Sequence, residues 1–551
     1  MRMSQPATTP IAVAVAHDIL TDAVRRFAHR PAIDFFGRHW TYGELGVLVD
    51  RAAAGLQAIG VAKGDRVGLC LPNTPYSIIF YFAALKAGAI VVNYNPLYVA
   101  RELDHQIRDS GTTVMVTIDI ADIHNKLLSV AARSGLRKIV LCPLAGALPF
   151  TKAALYRLIK RNEIVRRLPP DGLHVDYATL MATAAAPAPV IIEPDDIAVL
   201  QYTGGTTGTP KGAILTHANV VANCDQVVSF NASMRPGQER MLAILPFFHV
   251  FAMTVVMNVG IAIGAEIILL PRFILSQCLK TLVRRKATMF PAVPTIYAAI
   301  AKEAEKTRCD LSSIRYCISG GAPLPIETRH RFEALTGCRV IEGYGLTEAS
   351  PVVSGSPVEG RVREGSVGLP MKDTVIEIRD LVTGERLRSP GEKGEIVVKG
   401  PQVMRGYWNK PADSAAVFDN GFLCTGDIGY LDADGYLFIV DRIKDVILCG
   451  GFNVYPRMIE EALYQHPAVA EAVVIGLPDP YRGQVPKAFV VLRDGHDVTP
   501  DALKAFLTGY ISKIEQPKLI EIRTSLPKTF VGKLSKKELV EEERLRADHR
   551  S

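Results

Sequence analysis

The chain is poor in the residues that staple small extracellular domains. Its nine cysteines are odd in number and scattered from Cys70 to Cys449, with no C-x-x-C pair. Neither a disulfide framework nor a zinc cluster can be read from them, and a reducing compartment is expected. A surplus of one charge sign is equally scarce. The 63 Lys plus Arg against 56 Asp plus Glu leave +7 over 551 residues, too dilute to indicate nucleic acid. The first 20 residues hold one Arg and a short Ala/Val stretch closed by Asp18. That stretch lacks the apolar core of a secretory signal and reads as a frayed leader. One long hydrophobic run, Val250 to Leu270, is broken by Thr254, Asn258, Gly260, Gly264 and Glu266. A carboxylate and two glycines argue against a membrane span and for a buried helix followed by a strand.

What remains is a composition of 48% hydrophobic and 22% charged residues, that of a compact folded protein rather than a disordered one. At roughly 100 to 200 residues per domain the length corresponds to three to five folding units. Helical and strand patterns alternate through residue 330. Tyr42 to Ile59 and Ser77 to Ala87 read as helices, and Arg66 to Leu71, Lys138 to Cys142 and Ala198 to Tyr202 as strands. Such alternation predicts parallel sheets covered by helices, with ligands bound at the carboxyl ends of the strands. Short strands with Gly/Asp turns occupy about 365–440, as in Thr374 to Ile378, Gly394 to Lys399 and Gly435 to Val440. Mixed helix and strand return beyond Asp441. The expected fold is therefore α/β: a large N-terminal domain of parallel sheets (1–440) carrying a small β-rich subdomain, and a smaller α+β C-terminal domain (441–551).

The segment Tyr202-Thr-Gly-Gly-Thr-Thr-Gly-Thr-Pro-Lys211-Gly212 concentrates backbone amides, hydroxyls and a cation in eleven residues. That set of donors suits phosphate. It is not a Walker A loop, because Lys211 follows Gly208 by three residues and is followed by Gly212. Composition alone leaves a mobile glycine-rich loop open as the alternative.

This loop resembles the signature loop of the adenylate-forming superfamily of acyl-CoA synthetases, luciferases and nonribosomal adenylation domains. The superfamily's later motifs follow in order: Gly343-Tyr-Gly-Leu-Thr347-Glu348, Thr425-Gly-Asp427, Asp441-Arg442-Ile-Lys444-Asp445 and Pro527-Lys-Thr-Phe-Val-Gly-Lys533. The resemblance covers about residues 20 to 540. It implies ATP, Mg²⁺ and CoA as the reacting set, with a carboxylic acid first converted to an acyl adenylate. A carboxylate needs that conversion because its charge is delocalised and its leaving group would be oxide.

The resemblance also assigns roles. Thr203, Gly204, Gly205, Thr206, Thr207, Gly208 and Lys211 would hold the β and γ phosphates, and Thr347 the α-phosphate. Fixed donors of this kind stabilise charge developing on a phosphoryl group. Glu348 would bind Mg²⁺, a hard cation that takes oxygen ligands. Asp427 would accept from the ribose hydroxyls, Arg442 would approach the ribose or the phosphate, and Gly321, Ala322, Pro323, Gly343 and Tyr344 would line the adenine pocket. Lys533 would bridge carboxylate and α-phosphate during adenylation. Lys444 falls at the hinge of a mobile C-terminal domain, near 442–444. Rotation there would withdraw Lys533 and present Gly450, Gly451 and Phe452 to the pantetheine arm of CoA. The bland readings are a solvated carboxylate for Glu348 and a surface lysine for Lys533.

The substrate-facing motif is Leu245-Pro-Phe-Phe248-His249-Val-Phe251. Amino-acid-activating relatives carry an Asp in this region, and none stands here, so an acid with an uncharged tail is expected. Phe248 and Phe251 are candidate acyl contacts and His249 a candidate gate at the carboxylate end, with ordinary core packing as the alternative for all three. The Gly204 variant of the loop, with Val92-Asn-Tyr-Asn-Pro-Leu-Tyr98, resembles bacterial long-chain fatty-acid-CoA ligases. Thr151 to Leu168 carries six basic residues and one acidic residue in an amphipathic pattern. It is expected to be a helix that either lies on an anionic membrane surface or packs as a solvated insertion.

The reading is thus a cytoplasmic fatty-acyl-CoA ligase of long- or medium-chain specificity, with fatty acid, ATP and CoA as partners, no nucleic acid, and peripheral contact with the inner membrane face. Two alternatives stand: a fatty-acyl-AMP ligase that loads a carrier protein, and a CoA ligase for an aryl or branched acid. A homodimer is left open.

Overall fold

The computed structural model describes residues 11–165, 168–182, 186–203, 210–231, 233–358, 362–529 and 532–548. Its centre is a seven-stranded sheet in the order His174–Asp176, Lys138–Cys142, Val114–Ile118, Arg66–Cys70, Ile90–Asn93, Ile197–Thr203, Lys211–Thr216. The first six strands run parallel and the last is antiparallel. Buried strands of this kind read as continuous apolar runs, and Val114–Ile118 is buried at all five positions. The helix Pro75–Lys86 starts with proline in its first turn and is buried from Pro75 to Leu85. A helix apolar on every side belongs in the interior of a large body. Tyr42–Ala58 starts at a capping box between Thr41 and Glu44.

A second sheet, Arg240–Ala243, Glu266–Leu269, Pro31–Phe35 and Arg38–Thr41, packs into the same core. The apolar run 250–270 resolves into a π-helix Ala252–Asn258, a short helix Val259–Ala262 and the strand Glu266–Leu269, all buried. Among the described residues no helix is long and apolar enough to cross a membrane.

The third sheet is Cys317–Ser319, Val340–Gly345, Val352–Gly355 and Leu369–Pro370. It leads into a six-stranded β-rich unit built on Val375–Arg379, Gly394–Lys399 and Phe422–Leu431, with its own core of Val353, Ile376, Ile378, Ile396, Val398 and Leu437. From Leu437–Arg442 the chain passes through a single 3₁₀ turn, Ile443–Asp445, into a five-stranded C-terminal sheet. Separate apolar clusters around Val474 and Phe489 make this a distinct lobe. It docks on the helices Pro294–Thr307 and Ile326–Thr336 through Lys302–Asp494 (2.5 Å) and Arg493–Glu327 (2.5 Å).

Two expectations need correction. The leader is not frayed from Ile11 onward: the Ile11 amide donates to Asp225 (2.8 Å) and the Ala16 amide to His217 Nδ1 (3.1 Å), while Val15, Ala16, Ile19 and Leu20 are buried. Apolar residues spaced to cover the helix Asp18–Phe27 are the reason, and composition alone hid them. The basic helix is also shorter than 151–168. It spans Phe150–Ile159, after which the chain turns back, with Ile164 bridging Ile120 and the Val165 amide donating to the Asp119 carbonyl (2.8 Å).

Candidate active site

The strands Ile197–Thr203 and Lys211–Thr216 form a hairpin with Thr203 opposite Lys211. The expected phosphate donors Gly204, Gly205, Thr206, Thr207 and Gly208 lie outside the described residues. The base of the hairpin is anchored, because the Tyr202 hydroxyl donates to Asp109 Oδ2 at 2.5 Å. Lys211 Nζ stands 3.0 Å from Asp413 Oδ1 and 5.2 Å from the centroid of the Tyr407 ring.

Tyr407 joins this lysine to the expected metal ligand. Its hydroxyl donates to Glu348 Oε1 at 2.8 Å. Glu348 sits in the 3₁₀ turn Thr347–Ala349 just after the strand Val340–Gly345, and its carbonyl accepts from the Met404 amide at 2.8 Å. One carboxylate oxygen of Glu348 is thus oriented by a neighbour, which suits a hard cation that takes oxygen donors. Sequence reasoning missed Tyr407 and Asp413. The signal for Tyr407 is topological: residues 405–408 run against the strand carrying Lys211, with Ile214 donating to Gly406 (2.9 Å) and Trp408 to Gly212 (2.8 Å).

The expected nucleoside residues converge nearby. Strand register sets Asp427 opposite Arg442. Asp427 is buried, accepts from the Tyr344 hydroxyl at 2.7 Å and pairs with Arg442 Nε at 3.2 Å. Gly343 and Tyr344 lie on Val340–Gly345, which pairs in parallel with Cys317–Ser319, the strand that delivers Gly321, Ala322 and Pro323.

Lys533 reaches this group from the C-terminal lobe. The turn before it closes through Thr529, whose amide donates to the Lys533 carbonyl (2.7 Å). Thr295 Oγ1 ties the turn to the N-terminal body by donating to the Gly532 carbonyl at 2.7 Å. Gly532 holds φ +83°, a left-handed conformation that favours glycine. The Lys533 side chain packs against Gly321, where an added Cβ would stand 2.5 Å from Lys533 Cε. Burial, and secondarily the Arg442 cation, push the lysine down to about 8, with Asp427 opposing. His249 feels the same surroundings: burial, then the Lys533 charge, push it down to about 3. Its Nδ1 accepts from the Phe251 amide at 3.2 Å, so the neutral ring carries its proton on Nε2.

The acyl candidates divide. Phe248, with Phe247 and Met257, borders an interior void of about 10 Å³, no larger than a water site. Phe251 packs on Gly320, where an added Cβ would be 3.2 Å from its ring. Directly behind them the π-helix Ala252–Asn258 departs from regular geometry, as helices often do at functional sites. Gly450, Gly451 and Phe452 stand apart from the cleft residues, on a solvent-facing hairpin with Phe452 63% exposed. Lys444 lies in the connecting turn, and partial desolvation of its ammonium group, then the Arg442 cation, lower its pKa.

A lysine delivered by one lobe to a glycine of the other, beside an Asp–Tyr–Arg group whose carboxylate is buried, suits the activation of a carboxylate as its adenylate, and the fold places the protein among adenylate-forming enzymes. The model of the AMP-binding enzyme family matches residues 20–408 and that of the AMP-binding enzyme C-terminal domain matches 458–533; the chain belongs to this family. It is 44% identical to a long-chain-fatty-acid–CoA ligase of Bacillus subtilis (strain 168), over 98% of this chain and 96% of that protein. A long-chain-fatty-acid–CoA ligase of Escherichia coli O157:H7 is 37% identical, over 97% and 95%. Among solved structures, ATP-bound MatB from Rhodopseudomonas palustris superimposes with a TM-score of 0.82 at 30% identity, covering 96% of this chain and 98% of that one.

Proposed function

We propose that the protein is an AMP-forming long-chain fatty-acyl-CoA ligase. The observation that carries the reading is the seating of Lys533 against Gly321 beside the Asp427–Tyr344–Arg442 group. The similarity to long-chain-fatty-acid–CoA ligases and the apolar surroundings of Phe247 and Phe248 support the acyl preference. In the first half-reaction a carboxylate oxygen attacks the α-phosphorus of ATP and pyrophosphate leaves. Asp427 and Tyr344 hold the nucleoside, and Lys533 meets the charge shared by carboxylate and α-phosphate. Thr347 and Lys211 take phosphate oxygens, Lys211 leaving Asp413 to do so. Glu348, steadied by Tyr407, would hold Mg²⁺, which when bound would neutralise phosphate charge. His249, neutral and protonated on Nε2, borders the carboxylate end.

In the second half-reaction the CoA sulfur attacks the acyl carbonyl, the thiol proton is lost and AMP leaves with the bonding pair. The C-terminal domain, 441–551, turns about Lys444 on the N-terminal domain, 1–440. This exchanges Lys533 for the Gly450–Phe452 hairpin. The helix Phe150–Ile159 presents Phe150, Leu155, Leu158 and Ile159 to solvent beside Lys152 and Arg157. Exposed apolar residues next to cations suit an anionic bilayer, so the enzyme works in the cytoplasm at the inner membrane face. Incubation with ATP, Mg²⁺, a fatty acid and CoA tests the proposal. AMP and acyl-CoA in equal amounts support it. AMP without thioester would reassign the protein to carrier loading, and no acid-dependent pyrophosphate–ATP exchange would overturn it.

A further inference from the structure

A cavity of about 220 Å³ opens on the N-terminal body away from the cleft residues. It lies between the strand Arg38–Thr41, the helices Tyr42–Ala58 and Pro75–Lys86, and the segment 146–147 that precedes the exposed helix Phe150–Ile159. Trp40, Tyr177, Ile79 and Met181 give it apolar walls, and among the described residues the only charged ones lining it are Arg38 and Arg51. Among the described residues no carboxylate lines it. Arg38 is fixed: its guanidinium lies 4.8 Å from the Trp40 ring and donates to the carbonyls of Gly146 and Leu148. Arg51 is exposed and forms no ion pair among the described residues.

We infer that this cavity is a second binding site, for the carboxylate and the adjoining part of the chain of a long-chain fatty acid, that receives substrate from the membrane before it reaches the cleft. The proposal rests on the ligase reading and extends it. Cations at the mouth with no competing acid select an anion, and aromatic and aliphatic walls select an alkyl chain behind it. Two contacts place the mouth beside the membrane-facing helix: Arg38 binds the Leu148 carbonyl, two residues before Phe150, and Lys152 Nζ donates to the Phe36 carbonyl at 2.7 Å. The helix Pro75–Lys86 separates the cavity, which it lines with Tyr76 and Ile79, from the small void beside Phe247 and Phe248, which it lines with Ser77 and Tyr81. The site is therefore one helix removed from the expected acyl region.

The test is a titration of the full-length protein with carboxyl-¹³C oleate, followed by NMR, with and without a non-hydrolysable acyl-sulfamoyl adenosine filling the cleft. With the cleft filled, one oleate per chain should still bind. Arg51→Glu should weaken that binding at least tenfold, and Leu48→Trp, which fills the cavity, should abolish it. Arg51→Glu should turn over octanoate in lipid-free solution normally and oleate from phosphatidylglycerol vesicles several-fold more slowly. Absence of the extra oleate, or its indifference to Arg51→Glu, would overturn the proposal. So would displacement of oleate by dihexanoyl phosphatidylglycerol below its micelle concentration, which would assign the cations to a lipid headgroup. Failure of the ligase reading shows separately, as neither octanoate nor oleate yielding AMP with ATP and CoA in lipid-free solution.

Discussion

The α-carbon of Gly321 is the floor on which Lys533 rests. A Cβ at that position would lie 2.5 Å from Lys533 Cε and 2.9 Å from Nζ, and the glycine holds φ +83°. The backbone conformation disfavours a side chain there, and the lysine would have to move aside for one. Gly321→Ala should therefore displace the ammonium group, and a shift of about 1 Å at a reacting centre costs on the order of 10²-fold. Pyrophosphate–ATP exchange should fall by that factor. Thioester formation from supplied acyl-AMP, which needs the lysine withdrawn, should stay within a few-fold of normal. Lys533→Ala should reproduce the split, and equal loss of both half-reactions in either variant would contradict the role assigned to the lysine.

The depressed pKa of Lys533 sets a direction for pH. Its cation is complete below about 8 and lost above. The kcat/KM of adenylation should therefore decline as the pH rises through 8, approaching tenfold per unit, and thioester synthesis from acyl-AMP should lack that limb. His249, pushed down to about 3, stays neutral throughout and adds no limb near neutrality. For stability the sign is opposite. Folding lowers this pKa from 10.5, so the folded chain binds fewer protons than the unfolded one between about 8 and 10.5. The lysine's contribution to stability therefore rises with pH across that window.

How much of this was legible in the sequence varied with the kind of signal. Buried parallel strands such as Lys138–Cys142 and the fully buried helix beginning at Pro75 could be read because their apolar runs are unbroken and their ends carry turn residues or proline. The residues of the Asp427 and Lys533 motifs could be named by resemblance, but their convergence could not be read. It depends on the register of Phe422–Leu431 against Leu437–Arg442 and on the docking of one lobe against another. Tyr407 and Asp413 escaped entirely. A tyrosine in a Gly-Tyr-Trp run carries no chemical signature until pairing with 211–216 sets it between Lys211 and Glu348.

Tyr407 offers a test of how Glu348 is positioned. Tyr407→Phe keeps the ring beneath Lys211 and removes only the 2.8 Å hydrogen bond to Glu348. Loss of a hydrogen bond that orients a metal ligand typically costs about 10- to 100-fold in metal affinity. The Mg²⁺ concentration giving half-maximal exchange should rise by about tenfold or more, and Mn²⁺ binding followed by electron paramagnetic resonance should weaken in parallel. The melting temperature without metal should stay near that of the unsubstituted protein. An unchanged metal requirement would show that Glu348 orients itself or is not the ligand.

The hairpin at Gly451 allows the opposite dissection. In the present arrangement of lobes nothing lies within 4 Å of a Cβ on Gly451, so a larger side chain has room in the state that holds Lys533 in the cleft. Its φ of +84° means that any L residue pays about 1–2 kcal/mol of local strain, confined to an exposed hairpin. If the hairpin later turns inward to border the pantetheine arm, bulk at this position blocks only that later state. Gly451→Leu should keep pyrophosphate exchange within a few-fold of normal, accumulate bound acyl-AMP, and slow thioester formation by about 10²-fold. Gly451→Ala should fall between. If the leucine variant made acyl-CoA at the normal rate, the hairpin would have no place in the thioester step, and the rotation about Lys444 would lose its purpose.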